Sequence, residues 1–420
     1  MPGGSEIAEA SAPAQAAPPA PGRRTAAFIF VFVTVLLDML ALGMIVPVLP
    51  KLVVDFLGGD TARGAEIFGL FGTVWAAMQF VFSPVQGALS DRFGRRPVIL
   101  VSNFGLGLDY ILMAAAPNLA VLFVGRVISG ITSASISTGY AYISDVTPPE
   151  KRAARFGMMG VAFGVGFVLG PALGGLAGSV TPRLPFWIAA GLSLANGLYG
   201  LLVLPESLPL ERRALFSWKG ANPFGALVLL RSHAELGALA TVGFLSNLAH
   251  ASLPSISVLY MQYRYAFDER MVGLTLAAVG VCSMVVQGTL IGRTVKRLGE
   301  RATLILGLGF GVLGFAVFGL APTGPLFWVG IPIMALWGLA SAALLGLMSR
   351  RVGASEQGRL QGANASLMGV ANMVGPGLFT QTFALSIGEG AWQLPGAGYL
   401  LASLLIAAAM LVAWRATVKD

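Results

Sequence analysis

Residues 87–96 read Gly-Ala-Leu-Ser-Asp-Arg-Phe-Gly-Arg-Arg, and this short charged stretch lies between two long apolar segments. A degenerate copy, Gly-Arg-Thr-Val-Lys-Arg-Leu-Gly-Glu-Arg, occupies residues 292–301, 205 positions later, and keeps both glycines. The pairs Gly170-Pro171 and Gly375-Pro376 are separated by the same 205 positions. Two independent matches at one offset indicate an internal duplication.

The composition is that of a membrane protein. Hydrophobic residues make up 56% of the 420 residues and charged residues 11%, whereas soluble domains carry about 25% charged residues. The mean hydropathy of +0.78 likewise excludes a soluble core. A helix needs about 20 apolar residues to cross a bilayer. The sequence offers such segments at 26–50, 66–90, 97–116, 119–142, 156–179, 185–205, 236–260, 272–293, 302–321, 325–348, 362–386 and 393–414.

These segments and the duplication predict an all-α integral membrane protein with 12 transmembrane helices in two pseudo-symmetric six-helix bundles. We place the bundles at 25–205 and 236–414, joined by a cytoplasmic linker at 206–235. Residues 1–24 are rich in Ala and Pro and are expected to form a disordered tail, and residues 415–420 form a C-terminal tail. Transporters with parallel halves are built in this way, with the substrate site near the midplane between the halves.

The basic residues predict the orientation. Lys and Arg accumulate in short cytoplasmic loops, and placing both termini in the cytoplasm puts most of the 27 Lys and Arg residues on that side. The net charge of +8 is therefore explained by topology, and no nucleic-acid partner is expected. The single cysteine, Cys282, lies inside the predicted eighth helix, so that no intrachain disulfide can form. The pattern G-x-x-x-x-G-K-[ST] does not occur, and we expect no cofactor or metal, with a proton gradient as the energy source.

Three charged residues lie within predicted helices, where a charge costs about 2.5–3.5 kcal/mol on insertion scales. Asp38 and Asp109 each lie about 12 residues from the cytoplasmic end of their helices, roughly 18 Å deep, and are therefore expected at one level. Arg126 is as far as Asp109 from the hairpin turn at residues 117–118, so that the two side chains can face each other.

Two roles stay open for these groups. In one, Asp109 and Arg126 form a fixed ion pair that holds the hairpin, since removing one buried partner is costly whatever the function. In the other, Arg126 steadies one carboxylate while Asp38 or Asp109 takes up and releases a proton as the site alternates between the membrane faces. Asp38 by itself is expected to bind a proton or a cationic substrate, with helix capping as the alternative. At the 205-residue offset the second half has Gly243 instead of a carboxylate.

Polar residues at mid-depth are candidate contacts of a substrate pocket. His250 is the candidate for buried titration in the second half, and a satisfied core histidine is the open alternative. The others are able to orient a ligand among apolar walls such as Trp75 and Phe80, or to hold helices together by hydrogen bonds. The set is Gln79, Asn247, His250 and Gln287.

The charged stretch and its copy also carry candidate gating residues. Asp91 and Arg95 are four residues apart, and Lys296 and Glu300 replace them with reversed charge. Each copy is therefore able to pair internally and to complement the other. Positive-inside topology alone would explain the arginines, but not Asp91 or the glycines. The gating set is Gly87, Asp91, Arg92, Gly94, Arg95, Arg96, Lys296 and Glu300.

A glycine repeat marks the fifth predicted helix. Gly166, Gly170 and Gly174 recur every four residues, which places them on one face and permits the close approach of a neighbouring helix. Pro171 adds a site for a kink. Tight packing is sufficient to explain this pattern.

Together these motifs resemble a known family. Residues 87–97 resemble the loop 2–3 signature of the major facilitator superfamily, Arg126-x-x-x-Gly130 resembles its fourth-helix signature, and residues 160–175 resemble the fifth-helix signature of its drug:proton antiporters. Stretches at 37–50, 109–110 and 359–362 are similar to the tetracycline-efflux branch. The resemblance covers nearly the whole chain. It implies a loop 2–3 carboxylate that helps to latch the outward-facing state, and a fifth-helix face that seals the halves against leak.

Two positions depart from that branch. Tetracycline exporters of the best-matching type carry a histidine in the eighth helix and an aspartate in the ninth. Alignment on Gln287 and on residues 298–301 places Ser283 and Gly311 there. The resemblance links both missing groups to coupling and to recognition of a drug–cation complex, so that tetracycline itself stays an open question.

The interpretation favoured by these features is a secondary active transporter of the bacterial cytoplasmic (inner) membrane. It would export a small amphipathic drug in exchange for protons, function as a monomer in the lipid bilayer, and use Asp38, Asp109 and Arg126 for coupling. Within transport, the alternative is a proton-coupled transporter of a metabolite such as a sugar or siderophore. From a different class, the alternative is a non-transporting membrane sensor or scaffold. No enzyme is expected, since the sequence shows no nucleophile–base pair or metal cluster.

Overall fold

A computed structural model describes residues 21–133, 136–214, 234–353, 356–388 and 393–417. Within these ranges the regular secondary structure is helical, and no strand is present. Residues 1–20 of the predicted tail and residues 215–233 of the predicted linker lie outside the described residues. The first helix begins at Pro21, four residues before the predicted start of the first bundle.

The first half folds into helices that follow the predicted segments, with two of the segments divided. The first predicted segment corresponds to two helices separated by residues 46–48, and the fourth corresponds to another two. The helices are α1 (Pro21–Ile45), α2 (Leu49–Phe56), α3 (Thr61–Phe93), α4 (Arg95–Ala115), α5 (Leu119–Thr132), α6 (Ile136–Val146), α7 (Pro149–Val180) and α8 (Leu184–Val203).

The second half repeats this order. Its seventh and tenth predicted segments are each divided into two helices, and the eighth ends in a π-helical turn, Val286–Leu290. The helices are α9 (Ala234–His250), α10 (Ser252–Tyr265), α11 (Glu269–Val285), α12 (Ile291–Leu320), α13 (Gly324–Leu336), α14 (Gly338–Arg350), α15 (Gln357–Ile387) and α16 (Ala397–Ala416).

Ten helical stretches in the described residues are long and apolar enough to cross a membrane, which makes this a multi-pass membrane protein. The longest stretch, Glu269–Leu320, has 52 residues and would extend about 78 Å as one helix, more than twice the ~30 Å hydrocarbon core. Gly299 divides it, with φ 78° and ψ 169°. Gly94, 205 positions earlier, separates α3 from α4 with φ 103° and ψ 160°. Such positive φ values favour glycine. If the long stretch is counted as two spans divided at Gly299, and α15 is counted as a further span, the ten stretches become the expected twelve. The count of twelve stays a prediction.

The two halves differ in how their apolar cores are arranged. In the second half one continuous cluster of buried side chains runs from α9 to α16. In the first half there are two clusters. One lies toward the face that carries residues 87–96, which we call the loop face, and includes Phe30, Ile99 and Tyr142. The other lies toward the opposite face, the far face, and includes Ile45 and Phe186.

Candidate functional site

The three charged residues of the predicted spans are all buried in the first half. The exposed fraction is 8% for Asp38 on α1, 1% for Asp109 on α4 and 9% for Arg126 on α5. The side chain of Asn118 caps α5 by accepting the N–H of Val121 at 3.1 Å, which starts the helix directly after the hairpin turn.

The packing of α4 on α5 brings Asp109 and Arg126 to the same level. A methyl group on Gly125, the residue before Arg126, would lie 3.0 Å from an Asp109 carboxylate oxygen. The Arg126 guanidinium acts electrostatically on Asp109, but no ion-pair contact between them is formed in the described residues, and the Asp109 oxygens lack a hydrogen bond of normal geometry. The guanidinium lies instead 5.3 Å from the centre of the Trp75 ring. The fixed ion pair that was left open above is therefore not formed in this conformation.

Tyr110 belongs to the same group of residues and was missed as a site residue in the sequence. It is 3% exposed, and it experiences the charges of Asp38, Asp109 and Arg126 together. This overlap indicates that the two carboxylates lie around one point of the bundle. The sequence does carry a signal for Tyr110. The spacing of Asn103, Leu106 and Tyr110 places these three residues on one face of α4.

The candidate pocket residues are distributed over both halves. Gln79 on α3 donates a hydrogen bond to the Ser133 hydroxyl at 3.4 Å. Asn247 donates to the Gly243 carbonyl of its own helix at 2.9 Å, and Gln287 is exposed within the π-helical turn. His250 stays a candidate contact of the pocket. His250 is the last residue of α9, where the helix path breaks, and its side chain is exposed.

An aromatic group occupies the space beside Gly311, one of the two positions that depart from the tetracycline-efflux branch. A methyl group on Gly311 would lie 2.8 Å from a carbon of the Trp337 indole. The Trp337 ring packs 5.4 Å from Phe315 and 5.8 Å from His250, measured between ring centres. We call Phe315, Trp337 and His250 the aromatic cluster.

The charged stretch 87–96 forms its ion pairs within the first half. The Arg95 guanidinium contacts the Asp91 carboxylate at 2.6 Å, which is the predicted local pair, and the Asp145 carboxylate of α6 at 3.2 Å. Glu206 accepts the backbone N–H of Arg95 at 2.8 Å and so satisfies a free donor at the start of α4. A methyl group on Gly94 would lie 2.2 Å from a Glu206 oxygen, and the φ of 103° at this position itself favours glycine.

The second copy repeats this arrangement with reversed charge, through a partner that the sequence analysis did not identify. Glu300 pairs with Arg350 at 2.8 Å. These two residues lie 205 positions after Arg95 and Asp145. The local pair of Lys296 with Glu300 is not formed among the described residues, because the end of α14 brings Arg350 to Glu300 and Lys296 stays exposed.

The glycine face of α7 packs against α1 at backbone distance. A methyl group on Gly166 would lie 2.5 Å from the Met39 Cβ, and one on Gly170 would lie 2.7 Å from the Gly43 Cα. On Gly174 it would lie 2.1 Å from the Met44 carbonyl oxygen. The close approach expected from the sequence is thus present, and α7 continues as one helix through Pro171.

The two halves meet toward the far face. There α3 packs on α15 and α7 on α11, with a methyl on Gly72 reaching 2.9 Å from Pro376 and one on Gly175 reaching 3.0 Å from the Gly273 Cα. Lys51 of α2 forms a salt bridge with Glu269 of α11 and so joins the halves. On the loop face, the ion pairs of the described residues each stay within one half.

Two helical halves, one of which buries charged residues within its membrane-spanning helices, are typical of one class of protein, the secondary membrane transporters. The family model of the Major Facilitator Superfamily matches residues 31–376, and the chain belongs to this superfamily. It is 37% identical over 381 residues to the tetracycline resistance protein, class C, of Escherichia coli, covering 89% of this chain and 95% of that protein. It is 35% identical over 379 residues to the class E protein of the same organism, covering 89% and 92%.

A solved structure supports the same assignment. The human organic anion transporter MFSD10 shares 26% of its sequence with this chain and superposes with a TM-score of 0.68, covering 94% of this chain and 100% of that one. The family and these relatives identify a transporter rather than an enzyme. They also confirm the resemblance stated from the motifs.

Proposed function

We propose that this transporter exports a small amphipathic compound across the bacterial cytoplasmic membrane in exchange for protons, with both termini in the cytoplasm. The observation that carries the proposal is the charge balance of the buried site. Two carboxylates, Asp38 and Asp109, share the first half with one intramembrane cation, Arg126. An uncompensated buried charge is costly, and binding one proton removes it.

The two carboxylates differ in their surroundings, and we assign them different roles. The Arg126 guanidinium acts electrostatically on Asp109, and a nearby cation offsets part of the cost of a charged buried carboxylate. Neither carboxylate forms an ion-pair contact among the described residues, but Asp38, unlike Asp109, has no cation acting on it. We therefore assign uptake and release of the proton to Asp38. Asp109 and Arg126 hold the electrostatic environment in which that proton is bound.

Tetracycline is the first compound to test, because relatives at 35% and 37% identity are named tetracycline resistance proteins. Trp337 and His250, which are partly exposed and exposed, offer aromatic faces suited to a ring system, and the buried Phe315 packs behind Trp337. Gly311, which lies beside Trp337, stands where the resembled branch has an aspartate, so related amphipathic compounds belong in the same screen. The metabolite alternative is tested by including sugars and siderophores.

The test is accumulation of tetracycline in inverted membrane vesicles energised by an imposed pH gradient. We expect gradient-dependent uptake by the native chain, loss of that uptake in Asp38→Asn, and native behaviour in Glu66→Gln, which alters an exposed carboxylate on α3. Undiminished uptake by Asp38→Asn would exclude the coupling role. A native chain that moves a sugar or siderophore instead would support the metabolite alternative. A sensor or scaffold would show no flux that responds to Asp38→Asn.

A further inference from the structure

A layer of buried polar side chains crosses the first half between its two apolar clusters. Its members come from four helices and are at most 5% exposed. We call this set the polar layer. It consists of Thr34 on α1, Asn103 on α4, Thr138 on α6, and Ser193 and Asn196 on α8.

On α4 and α8 the layer lies between the two apolar clusters. On α4, Asn103 lies between Ile99 of the loop-face cluster and Leu106 of the far-face cluster. On α8, the two polar residues follow Ala190 of the far-face cluster and precede Leu204 of the loop-face cluster. On α1, Thr34 is one turn from Asp38. Asn103 lies six residues from Asp109, about 9 Å along α4. The layer therefore lies within about two helical turns of both carboxylates, and on α4 and α8 it has an apolar cluster on either side.

Most polar atoms of the layer have no protein partner. The Thr34 hydroxyl donates to Oδ1 of Asn196 at 3.2 Å. The amide nitrogen of Asn196, both polar atoms of Asn103, and the hydroxyls of Ser193 and Thr138 are unpaired among the described residues. Buried polar atoms in native proteins are nearly always paired, and where protein groups do not reach them, internal water does.

The second half shows that this is not a general property of the fold. Its buried hydroxyls in the described residues are bonded, as in Ser257 with Tyr399 at 2.8 Å, Thr303 with the Gly299 carbonyl at 2.6 Å, and Ser403 with the Val312 carbonyl at 2.8 Å. Its apolar core is continuous. Unpaired polar groups enclosed in the bundle are thus a feature of the half that carries the buried charges.

We propose that the polar layer is an internal water site that joins Asp38 to Asp109 and relays one proton between them, closed off from both membrane faces by the two apolar clusters. The proposal rests on the proposed proton coupling. In the relay, the protonated carboxyl gives its proton to a water, that water gives one of its protons onward, and the last transfer protonates the other carboxylate. Only O–H bonds form and break, and one positive charge moves.

Few ionisable groups lie on the helices that surround the relay. Away from the helix ends, the ionisable groups on the packed helices are Asp38, Asp109, Tyr110 and Arg126, together with the tyrosines of α6 and α8, Tyr140, Tyr142 and Tyr199. The α8 helix has no charged residue, and the charged residues of α6 and α7 lie at their loop-face ends, at Asp145 and within 150–155. Asn103 and Asn196 are accordingly positioning residues, which orient water rather than exchange protons themselves.

The first test detects the water without any transported compound. X-ray hydroxyl-radical footprinting oxidises buried side chains that touch water, and four tyrosines provide a matched set. Tyr110 and Tyr142 flank the layer, while Tyr260 and Tyr399 lie in the second core, and all four are at most 3% exposed. We expect oxidation of Tyr110 and Tyr142 to be severalfold faster than that of the other two, and to slow in Asn103→Leu. Equally slow oxidation of all four would overturn the water site.

The second test addresses the relay, with tetracycline as the probe in reconstituted vesicles. Asn103→Leu is expected to fold, since an apolar isostere removes unpaired atoms, and to keep tetracycline counterflow within about twofold of native while gradient-driven uptake falls about tenfold. Asn103→Ser should recover part of the loss. Thr303→Val, which alters a bonded buried hydroxyl in the second half, should match the native chain in both assays.

The outcomes separate this inference from the proposed function. Native gradient-driven uptake in Asn103→Leu would overturn the relay and leave proton coupling standing. A native chain without proton-driven flux of any compound would overturn the proposed function and the relay with it. In that case the footprinting result still decides whether the layer holds water.

Discussion

The Arg126 side chain is held in the bundle by an aromatic face rather than by a contact ion pair. Its guanidinium lies 5.3 Å from the centre of the Trp75 ring, a geometry that attracts cations electrostatically. The carboxylate of Asp109 is close enough to feel this charge, but it is not locked to it. Asp109 and Arg126 therefore interact electrostatically without forming a contact ion pair, so each side chain is able to form other contacts.

This coupling is measurable as a double-mutant cycle. Arg126→Gln leaves the Asp109 carboxylate buried without its cation and is expected to destabilise the protein by about 2–4 kcal/mol. Adding Asp109→Asn removes the uncompensated charge and should recover at least half of that loss. Thermal unfolding in detergent measures both effects. Strict additivity of the two single changes would show that the groups do not interact.

The individual helices show which structural features a sequence pattern can predict and which it cannot. The repeat of Gly166, Gly170 and Gly174 predicted a closely packed face on α7, because spacing alone fixes which residues share a face. It did not identify α1 as the partner, since contacts between helices depend on the whole bundle. The breaks after Ile45 and after His250 were also not predicted, because apolar character continues across them.

The glycine face of α7 offers a matched pair of substitutions. Gly170→Ala places a methyl 2.7 Å from the Gly43 backbone, and the resulting shift of α1 should cost about 1–3 kcal/mol. Gly160 lies on the same helix with no atom within 4 Å of an added methyl, so Gly160→Ala should be neutral or stabilising by up to about 1 kcal/mol. Folded yield and thermal unfolding in detergent distinguish the two. Equal effects of both changes would contradict the packing shown here.

The charged stretches show that spacing predicts local ion pairs but not pairs between residues far apart in the sequence. The local pair of Asp91 with Arg95 followed from a four-residue spacing, and the structure contains it. The partners Asp145 and Arg350 lie 50 residues from Arg95 and Glu300, so only the packing of separate helices brings them together. The 205-residue offset also relates the pair Arg95–Asp145 to the pair Glu300–Arg350. Opposite charges at both pairs of related positions were the signal in the sequence for these partners.

The whole molecule is closed toward the far face by contacts between its halves. The salt bridge of Lys51 with Glu269 joins α2 to α11 across that closure. Toward the loop face the described ion pairs remain within each half. The conformation thus corresponds to a transporter whose far-face gate is shut, as alternating access between rigid halves requires.

Breaking the far-face salt bridge should shift the balance of conformations. Lys51→Glu places like charges together, and we expect a larger far-face separation between spin labels at Arg63→Cys and Pro322→Cys in a Cys282→Ser background. Adding Glu269→Lys restores opposite charges and should restore the native distance distribution. Pulsed electron paramagnetic resonance measures the distances. A distribution that is the same in the native, single and double variants would show that this bridge does not hold the gate.

The unequal cores of the two halves have a consequence for how such a chain changes over generations. A continuous apolar core accepts hydrophobic exchanges that conserve volume, whereas a buried polar network is disturbed by most replacements. We therefore expect the first half to diverge more slowly after duplication than the second half. If the proposed function holds, a lineage can widen the range of compounds it exports by altering the second half, while the proton-coupling groups of the first half stay almost unchanged.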